Sequence, residues 1–388
     1  MLPNSEEIRI ASAPDAGYDY GIVSGSGLLE FAGEWASDVF AQSPPRRIAI
    51  VSNPKVFGIY GSKVAASFER GGFEAPVWLM ADGERHKNLR SLRVCLEALG
   101  RFGIGRTDAV AALGGGVVGD LAGFAAAIHL RGVRLLQIPT TLLAMIDSSV
   151  GGKTGVNADW GKNLIGAFHS PSGVLADVST LATLPRREFK AGMCEAVKHA
   201  ALAGGELFEQ TRSFLERHSG TLGRSGSAGG GLARLVTAQA SFKASIVAGD
   251  PFEATDRTDA RSRKVLNFGH TLGHAIERAL GFRRIRHGEA VGHGIRFAAR
   301  LSKALDLLDS DGLNSLNDVV RRVGRLPDIS FIDPETLSKA FAADKKNLSG
   351  SLEWVLLRGL GQPEIVSGEA IPAKVLSYTL SRYVQSKT

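Results

Sequence analysis

Cysteine is scarce in this 388-residue chain, which has only Cys95 and Cys194. Two cysteines cannot build a disulfide framework, and they fit a reducing compartment. No apolar run reaches the roughly 18 residues that a membrane-crossing helix needs. The opening MLPNSEEIRIASAPD lacks a basic segment followed by an apolar one. No secretory signal is therefore expected, and the cytoplasm is the expected location. Aromatic residues are few at 7% and the basic residues are dispersed, so the formal charge of +7 does not mark a nucleic-acid surface. It suits a small phosphorylated or carboxylated substrate better. A local basic cluster, FRRIRHGE from Phe282 to Glu289, reads equally as a solvated loop.

What remains is the composition of an ordinary globular protein, and at this length two domains are the default expectation. Short apolar runs at Arg46–Asn53, Pro76–Gly83, Asp108–Gly116 and Val133–Thr141 read as buried strands. Between them, GSKVAASFERGG and LRSLRVCLEALGRFG carry helical periodicity and end on glycine. Strand–helix alternation implies a mostly parallel sheet with helices on its faces. After Leu184-Pro185 the strand signals fade and long helical patterns follow: GELFEQTRSFLERH, ARLVTAQASFKASIVAG and HGIRFAARLSKALDLL. The Gly/Ser-rich stretch from Ser219 to Gly231 reads as a flexible loop. The expected division is an α/β domain over 1–186 and a mainly helical one over 187–388.

DAVAALGGGVVGDLAGFAAA runs from a strand through three glycines into a small-residue helix. Glycines let a phosphate approach the backbone, and a helix N-terminus stabilises its charge. The run is not the G-x-G-x-x-G fingerprint, and alone it reads equally as a tight strand-to-helix turn. DGERHK (Asp82 to Lys87) follows another strand end. Thr140 and Thr141 lie at a third, with Asp147 and Lys153 soon after. Ligands of open α/β sheets bind at these carboxyl ends.

NFGHTLGHAIE (Asn267 to Glu277), followed by HGE at His287, groups three of the nine histidines within eighteen residues. On a helix His270 and His274 share a face. A zinc-type site needs converging nitrogen, oxygen or sulfur donors, and EFKAGMCEAVKHA offers Glu195, with Lys198 one turn away. His270 is followed by Thr271, so the H-E-x-x-H peptidase pattern is absent. Cys194 reads as small core packing.

Taken in order, DGERHK, GGGVVGD, RGVRLLQIPTTLLAMIDSSVGGKTGVN, GKNLIGAF, TLATLP, GMCEAVK, LNFGHTLGHAIE, HGE and DKK resemble 3-dehydroquinate synthase, of the sugar phosphate cyclase superfamily. The resemblance covers most of the chain. It implies an N-terminal Rossmann-like, mostly parallel sheet domain that binds NAD+, and a C-terminal all-helical domain that binds metal and substrate. It also implies a zinc or cobalt ion at a cleft between the domains.

By that resemblance the metal ligands are Glu195, His270 and His287, and His274 becomes a substrate contact. The NAD+ residues are Asn53, Asp82, Glu84, Lys87, Gly115, Gly116, Val117, Asp120, Thr140, Thr141, Lys153, Lys162, Thr180, Leu181 and Thr183. The substrate residues are Arg131, Asp147, Lys153, Asn163, Lys198, Lys243, Arg263, Asn267, His274 and Lys346. The resemblance also implies a homodimer in which Arg131 of one protomer reaches into the site of the other. The implied reaction converts 3-deoxy-D-arabino-heptulosonate 7-phosphate to 3-dehydroquinate and phosphate, in the shikimate pathway. It runs through transient oxidation, phosphate elimination, reduction and an intramolecular aldol closure. A cation-rich pocket suits a substrate carrying both phosphate and carboxylate. GGK and GKN around Lys153 and Asn163 read as turns.

Cys194, His199, Trp160, HLRG and Glu353-Trp354 depart from the commonest family wording, although none removes a named catalytic group. They leave room for a sister cyclase, such as aminodehydroquinate synthase or a valiolone-type synthase. Lys243, Arg263 and Asn267 together favour a carboxylated substrate. A glycerol dehydrogenase-like oxidoreductase would instead release NADH, and an NAD-binding pseudoenzyme would not turn over.

Overall fold

A computed structural model of the chain describes residues 2–3, 5–10, 19–223, 231–281, 284–347 and 352–386, with the backbone alone for Ile10 and 342–347. It divides into two compact units, Met1–Leu184 with Ala228–Phe252, and Pro185–Ser227 with Glu253–Thr388.

The first unit carries strands β1 (Ser5–Ile10), β2 (Tyr20–Gly25), β3 (Ile48–Ser52), β4 (Val77–Leu79), β5 (Ala109–Gly114), β6 (Arg134–Pro139), β7 (Lys153–Ala158), β8 (Gly161–Phe168) and β9 (Gly173–Asp177). Its helices in the same stretch are α1 (Ala32–Val39), α2 (Pro54–Val56), α3 (Ser62–Arg70), α4 (Leu89–Arg101) and α5 (Gly116–Ile128). Seven strands form one sheet in the order β1-β2-β9-β6-β5-β3-β4. Only the β1–β2 pair is antiparallel. Every residue of β3, β5 and β9 is buried, which is why these strands read as unbroken apolar runs rather than alternating ones. Alternate side chains serve opposite cores. Ile48, Ile50, Ala109 and Ala111 join Trp35 and Phe68 on one face. Ala49, Val51, Val110 and Ala112 join Leu92, Leu99 and Leu121 on the other.

β3 leads outward to β4, and the chain then returns past β3 to β5. The winding direction therefore reverses between β3 and β5, and such a switch point opens a crevice at the strands' carboxyl ends. Asn53 follows β3 and Gly115-Gly116 follow β5 there. β7 and β8 pair antiparallel as a separate hairpin. GKN is thus strand, not turn, and the reversal lies at Asp159-Trp160; of GGK only Lys153 is strand, with Gly151 and Gly152 turning into it at φ of 100° and 65°.

Helices α6 (Arg186–Ala203) and α7 (Gly205–Arg217) open the second unit, and α8 (Gly231–Gly249) then returns to the first. The expected boundary at 186 places α8 in the helical half, since α8 follows the last strand signal. Its Ala240, Ala244 and Val247 pack against Tyr20, Ile22, Val150 and Val174 of the sheet unit. Of the Gly/Ser-rich stretch, residues 224–230 lie outside the described residues, as do 282 and 283 of the basic cluster.

The second unit continues with α9 (His270–Ala279), α10 (His287–Ala304), α11 (Ser310–Val323), α12 (Pro334–Asn347), β10 (Glu353–Gly359), β11 (Gln362–Ser367) and α13 (Ala373–Gln385). The hairpin β10–β11 makes this half mainly helical rather than wholly so. Trp354 on β10 is buried against Phe297 and Phe341. Helix α10 packs against α6, α9, α11 and α13, so it is the axis of this unit.

Candidate active site

In the second unit three helices converge on Glu195. Helix α6 supplies Glu195 and Lys198 one turn apart, α9 begins at His270, and α10 begins at His287. The Glu195 carboxylate is almost fully buried, at 1% exposure. Its Oε1 lies 3.9 Å from His270 Nε2 and 3.4 Å from His287 Nε2, and Lys198 Nζ sits 2.9 Å from Oε2. The far ring nitrogens face acceptors. His270 Nδ1 is 3.3 Å from the Phe268 carbonyl, and His287 Nδ1 is 3.1 Å from Glu277 Oε2. A carbonyl or carboxylate has no proton to give, so in the neutral rings Nδ1 carries the hydrogen and Nε2 the lone pair. With both rings neutral, as ligands must be, one oxygen and two nitrogen lone pairs face a common point, with all three ligand atoms within 4.8 Å of one another.

That donor chemistry suits a borderline ion such as zinc or cobalt. Burial pushes His270 well below the ordinary imidazole range despite Glu195, which keeps it neutral as a ligand must be. For His287 burial acts in the same direction, but hydrogen bonds with Glu195 and Glu277 outweigh it and raise the pKa, so without an ion Nε2 also holds a proton, one that an ion would displace. His274 is exposed, with its ring 5.3 Å from that of His270 and 5.9 Å from that of His287. Cys194 is buried and is not among the residues that converge.

In the first unit the central feature is Lys87, whose side chain is 5% exposed. Its Nζ donates to Asp120 Oδ2 at 2.9 Å and to Asn163 Oδ1 at 2.6 Å, and lies 3.2 Å from Glu84 Oε1. Asn157 Nδ2 donates to Glu84 Oε1 at 2.8 Å, and its Oδ1 accepts from the Asn163 amide at 3.0 Å. Asn163 has a φ of 57°, a left-handed conformation that asparagine tolerates and that this bond holds. Burial opposes the Lys87 charge, yet Asp120 and Glu84 raise its pKa. Burial likewise opposes the Glu84 carboxylate, while Lys87, Asn157 and Lys162 lower its pKa. Asp120 is raised by burial against the pull of Lys87.

Around the switch point, Asn53 Nδ2 donates to Asp82 Oδ1 at 3.3 Å, and its own Oδ1 caps the helix that follows. A Cβ on Gly115 would meet Thr141 Cγ2 at 2.9 Å, and one on Gly116 would meet Ser148 Oγ at 2.9 Å. The loop is thus as tight as its sequence, and Val117 follows in the first turn of α5. Thr140 and Thr141 follow β6. Thr180, Leu181 and Thr183 follow β9, where Tyr60 Oη donates to the Thr180 carbonyl at 3.0 Å and lies 2.6 Å from Thr183 Oγ1. The switch point, the glycine loop and the helix N-terminus are the features a dinucleotide requires, and these residues fit one.

Asp147 is held by Lys243 of α8, which forms a close ion pair with its carboxylate and donates to its carbonyl at 2.6 Å. Lys153 is exposed at the start of β7. Arg131 is exposed at a φ of 68°, next to Leu130 at 50°. In the second unit Arg263 is buried and Asn267 exposed on one 3-10 turn. The Lys346 side chain lies outside the described residues.

Among the polar side chains to which the motifs give no role are Asn157, within GVN, and Glu277, within HAIE. For Glu277 there was a signal, since it falls two helical turns after His270 and so on its face. No local signal pairs Asn157 with Glu84, 73 residues away.

Two family profiles match the chain, 3-dehydroquinate synthase N-terminal over residues 77–191 and 3-dehydroquinate synthase C-terminal over 192–347. The 3-dehydroquinate synthase of Pelotomaculum thermopropionicum is 40% identical over 353 residues, covering 90% of this chain and 91% of its own. A crystal structure of 2-deoxy-scyllo-inosose synthase complexed with carbaglucose-6-phosphate, NAD+ and Co2+ is 25% identical, with a TM-score of 0.82 over 97% of this chain and 99% of its own. The 2-epi-5-epi-valiolone synthase from Streptomyces hygroscopicus subsp. jinggangensis 5008, with NAD+ and Zn2+ bound, is 26% identical, with a TM-score of 0.81 over the same shares.

Proposed function

The chain belongs to the 3-dehydroquinate synthase family, and from that premise we propose the role of each residue group in the reaction. The protein is an enzyme that converts 3-deoxy-D-arabino-heptulosonate 7-phosphate to 3-dehydroquinate and phosphate, a step of the shikimate pathway. The observation that carries this reading is the convergence of Glu195, His270 and His287 beside Lys198.

Glu195, His270 and His287 hold a zinc or cobalt ion, and the crevice residues from Asn53 to Thr183 hold NAD+. When bound, the ion supplies Lewis acidity toward a substrate hydroxyl and NAD+ a reversible hydride acceptor. The chain's own groups bind, orient and move protons. Lys198, already paired with the buried Glu195, is held in one rotamer to meet substrate anionic oxygen. Arg263 on its turn offers a fork suited to a carboxylate or phosphate. Asp147, fixed by Lys243, presents a carboxylate to substrate hydroxyls. His274 keeps an exposed imidazole near the metal ligands, placed to pass a proton. Lys153, Asn163, Asn267 and Lys346 complete the substrate set. Holding every intermediate among fixed charges supplies orientation and charge stabilisation.

We also place the protein in the cytoplasm as a homodimer, with Arg131 serving the other protomer's site. The left-handed, exposed Leu130-Arg131 turn supports a functional role for Arg131, since such strain persists where function requires it. Light scattering checks the dimer. Product analysis tests the reaction, with one phosphate and one 3-dehydroquinate expected per substrate consumed. Turnover of the amino analogue or of a heptulose 7-phosphate in its place would move the protein to a sister cyclase.

A further inference from the structure

Helix α9 carries His270 at its start and Glu277 seven residues on, so the two side chains lie on one face, two turns apart. Glu277 is 3% exposed, an environment in which a carboxylate is retained only when its oxygens are engaged. One of those oxygens lies 3.1 Å from His287 Nδ1, across from the helix that His287 begins. On the far side of the ring, Nε2 faces Glu195 Oε1 at 3.4 Å. The imidazole is therefore held between two carboxylates, one on the metal-facing nitrogen and one behind.

We propose that Glu277 is the positioning residue of His287: its carboxylate accepts the Nδ1 proton and so fixes the ring with Nε2 turned toward the ion. This inference rests on the metal reading above. A carboxylate behind a ligating imidazole fixes its tautomer, limits its rotation and raises its basicity, and loss of such a partner weakens metal binding about 10–100-fold. The competing arrangement is also on the page. His274, Glu277 and His287 place ligand atoms within 4.8 Å of one another, which would make Glu277 itself a ligand. That arrangement needs a lone pair on His287 Nδ1, the nitrogen that the carboxylate keeps protonated, and it draws on the exposed His274 rather than the buried Glu195.

The test is a cobalt titration of metal-stripped wild type, Glu277→Gln and Glu277→Leu, followed by visible absorption and by competition with a chelator. The saturated spectra are expected to coincide, with Kd raised about 10–100-fold in the leucine variant. Glutamine should lie between, because its carbonyl still accepts from Nδ1. An unchanged Kd in Glu277→Leu would overturn the proposal, and so would an altered saturated spectrum, which would make Glu277 a ligand. Wild type that takes up no cobalt would instead sink the metal reading itself. Because a variant at a buried position can fail to fold, 15N NMR of the histidines in zinc-loaded wild type provides a second arm. The expected state of His287 is Nδ1 protonated and Nε2 metal-shifted; the reverse would overturn the proposal.

Discussion

At the scale of a residue, Lys87 shows how a binding motif is also a strut. An ammonium has three protons, and Lys87 Nζ meets three acceptors, on Asp120, Asn163 and Glu84. Little donor capacity remains for a ligand phosphate, so its service to the cofactor is to hold those three side chains in place. Replacing Lys87 with Met removes the charge that Glu84 and Asp120 face. Both carboxylates keep some solvent, which moderates the penalty of a broken buried pair to about 2 kcal/mol. Urea denaturation should show that loss, and calorimetry should show NAD+ binding weakened by about tenfold, or ~1.4 kcal/mol. Wild-type affinity in a destabilised variant would contradict the linkage between strut and site. The identities of these residues were legible in DGERHK, GGGVVGD and GKN. Their mutual bonds were not, because they join segments separated by 33 and 76 positions.

At the scale of elements, the metal site depends on how closely α10 approaches α6. A Cβ on Gly288 would stand 1.9 Å from the Ala191 carbonyl oxygen, one turn before Glu195. That contact is backbone and has no rotamer to yield. Arg187 of α6 adds a two-pronged clamp, donating from Nε and Nη2 to the two oxygens of Glu289 at 2.7 Å each. Glu289 in turn accepts from the Arg286 amide at 2.8 Å and so ties down the first turn of α10. Gly288→Ala should destabilise the fold by about 1–3 kcal/mol or more, and should also lower cobalt affinity, because His287 is the adjacent residue. A thermal melt and a cobalt titration read the two effects, and a variant with wild-type values of both would refute the close-approach argument. The fully buried strands of the first half were readable because they are continuous apolar runs. The β7–β8 hairpin was not. Gly155 and Gly166 face each other across it, and a Cβ on Gly166 would meet the Thr154 carbonyl oxygen at 2.1 Å. Glycines required by that proximity erase the alternation that marks a strand. Helix α8 was readable as a helix, but its apolar face does not say which unit it covers.

At the scale of the whole molecule, pH acts on the fold through a group outside the site. His293 of α10 is completely buried, with Nε2 2.8 Å from the Pro327 carbonyl and Nδ1 2.9 Å from Tyr383 Oη. The carbonyl accepts from Nε2–H, so Nδ1 accepts from the tyrosine and the ring is neutral. Burial pushes its pKa down to about 4 from an ordinary 6.5. Between those values the unfolded chain binds a proton that the fold refuses. The contribution is therefore complete above pH 6.5 and lost as pH falls toward 4, by about 3 kcal/mol. Urea unfolding across that window should show the slope in wild type and a shallower one in His293→Asn. Equal slopes would remove His293 as the cause. The family and the donor set were readable from ordered motifs. The division into units was less so, because a helix that leaves one unit for the other carries no mark in its own periodicity. The phosphate elimination begins and ends with NAD+, and one assay reads both sides of that balance. Phosphate release from 3-deoxy-D-arabino-heptulosonate 7-phosphate, with catalytic NAD+ and zinc or cobalt, is followed while NADH absorbance is recorded in parallel. Phosphate release should be sustained, with no accumulation of NADH. NADH rising in step with substrate consumption would contradict it and make the protein a dehydrogenase.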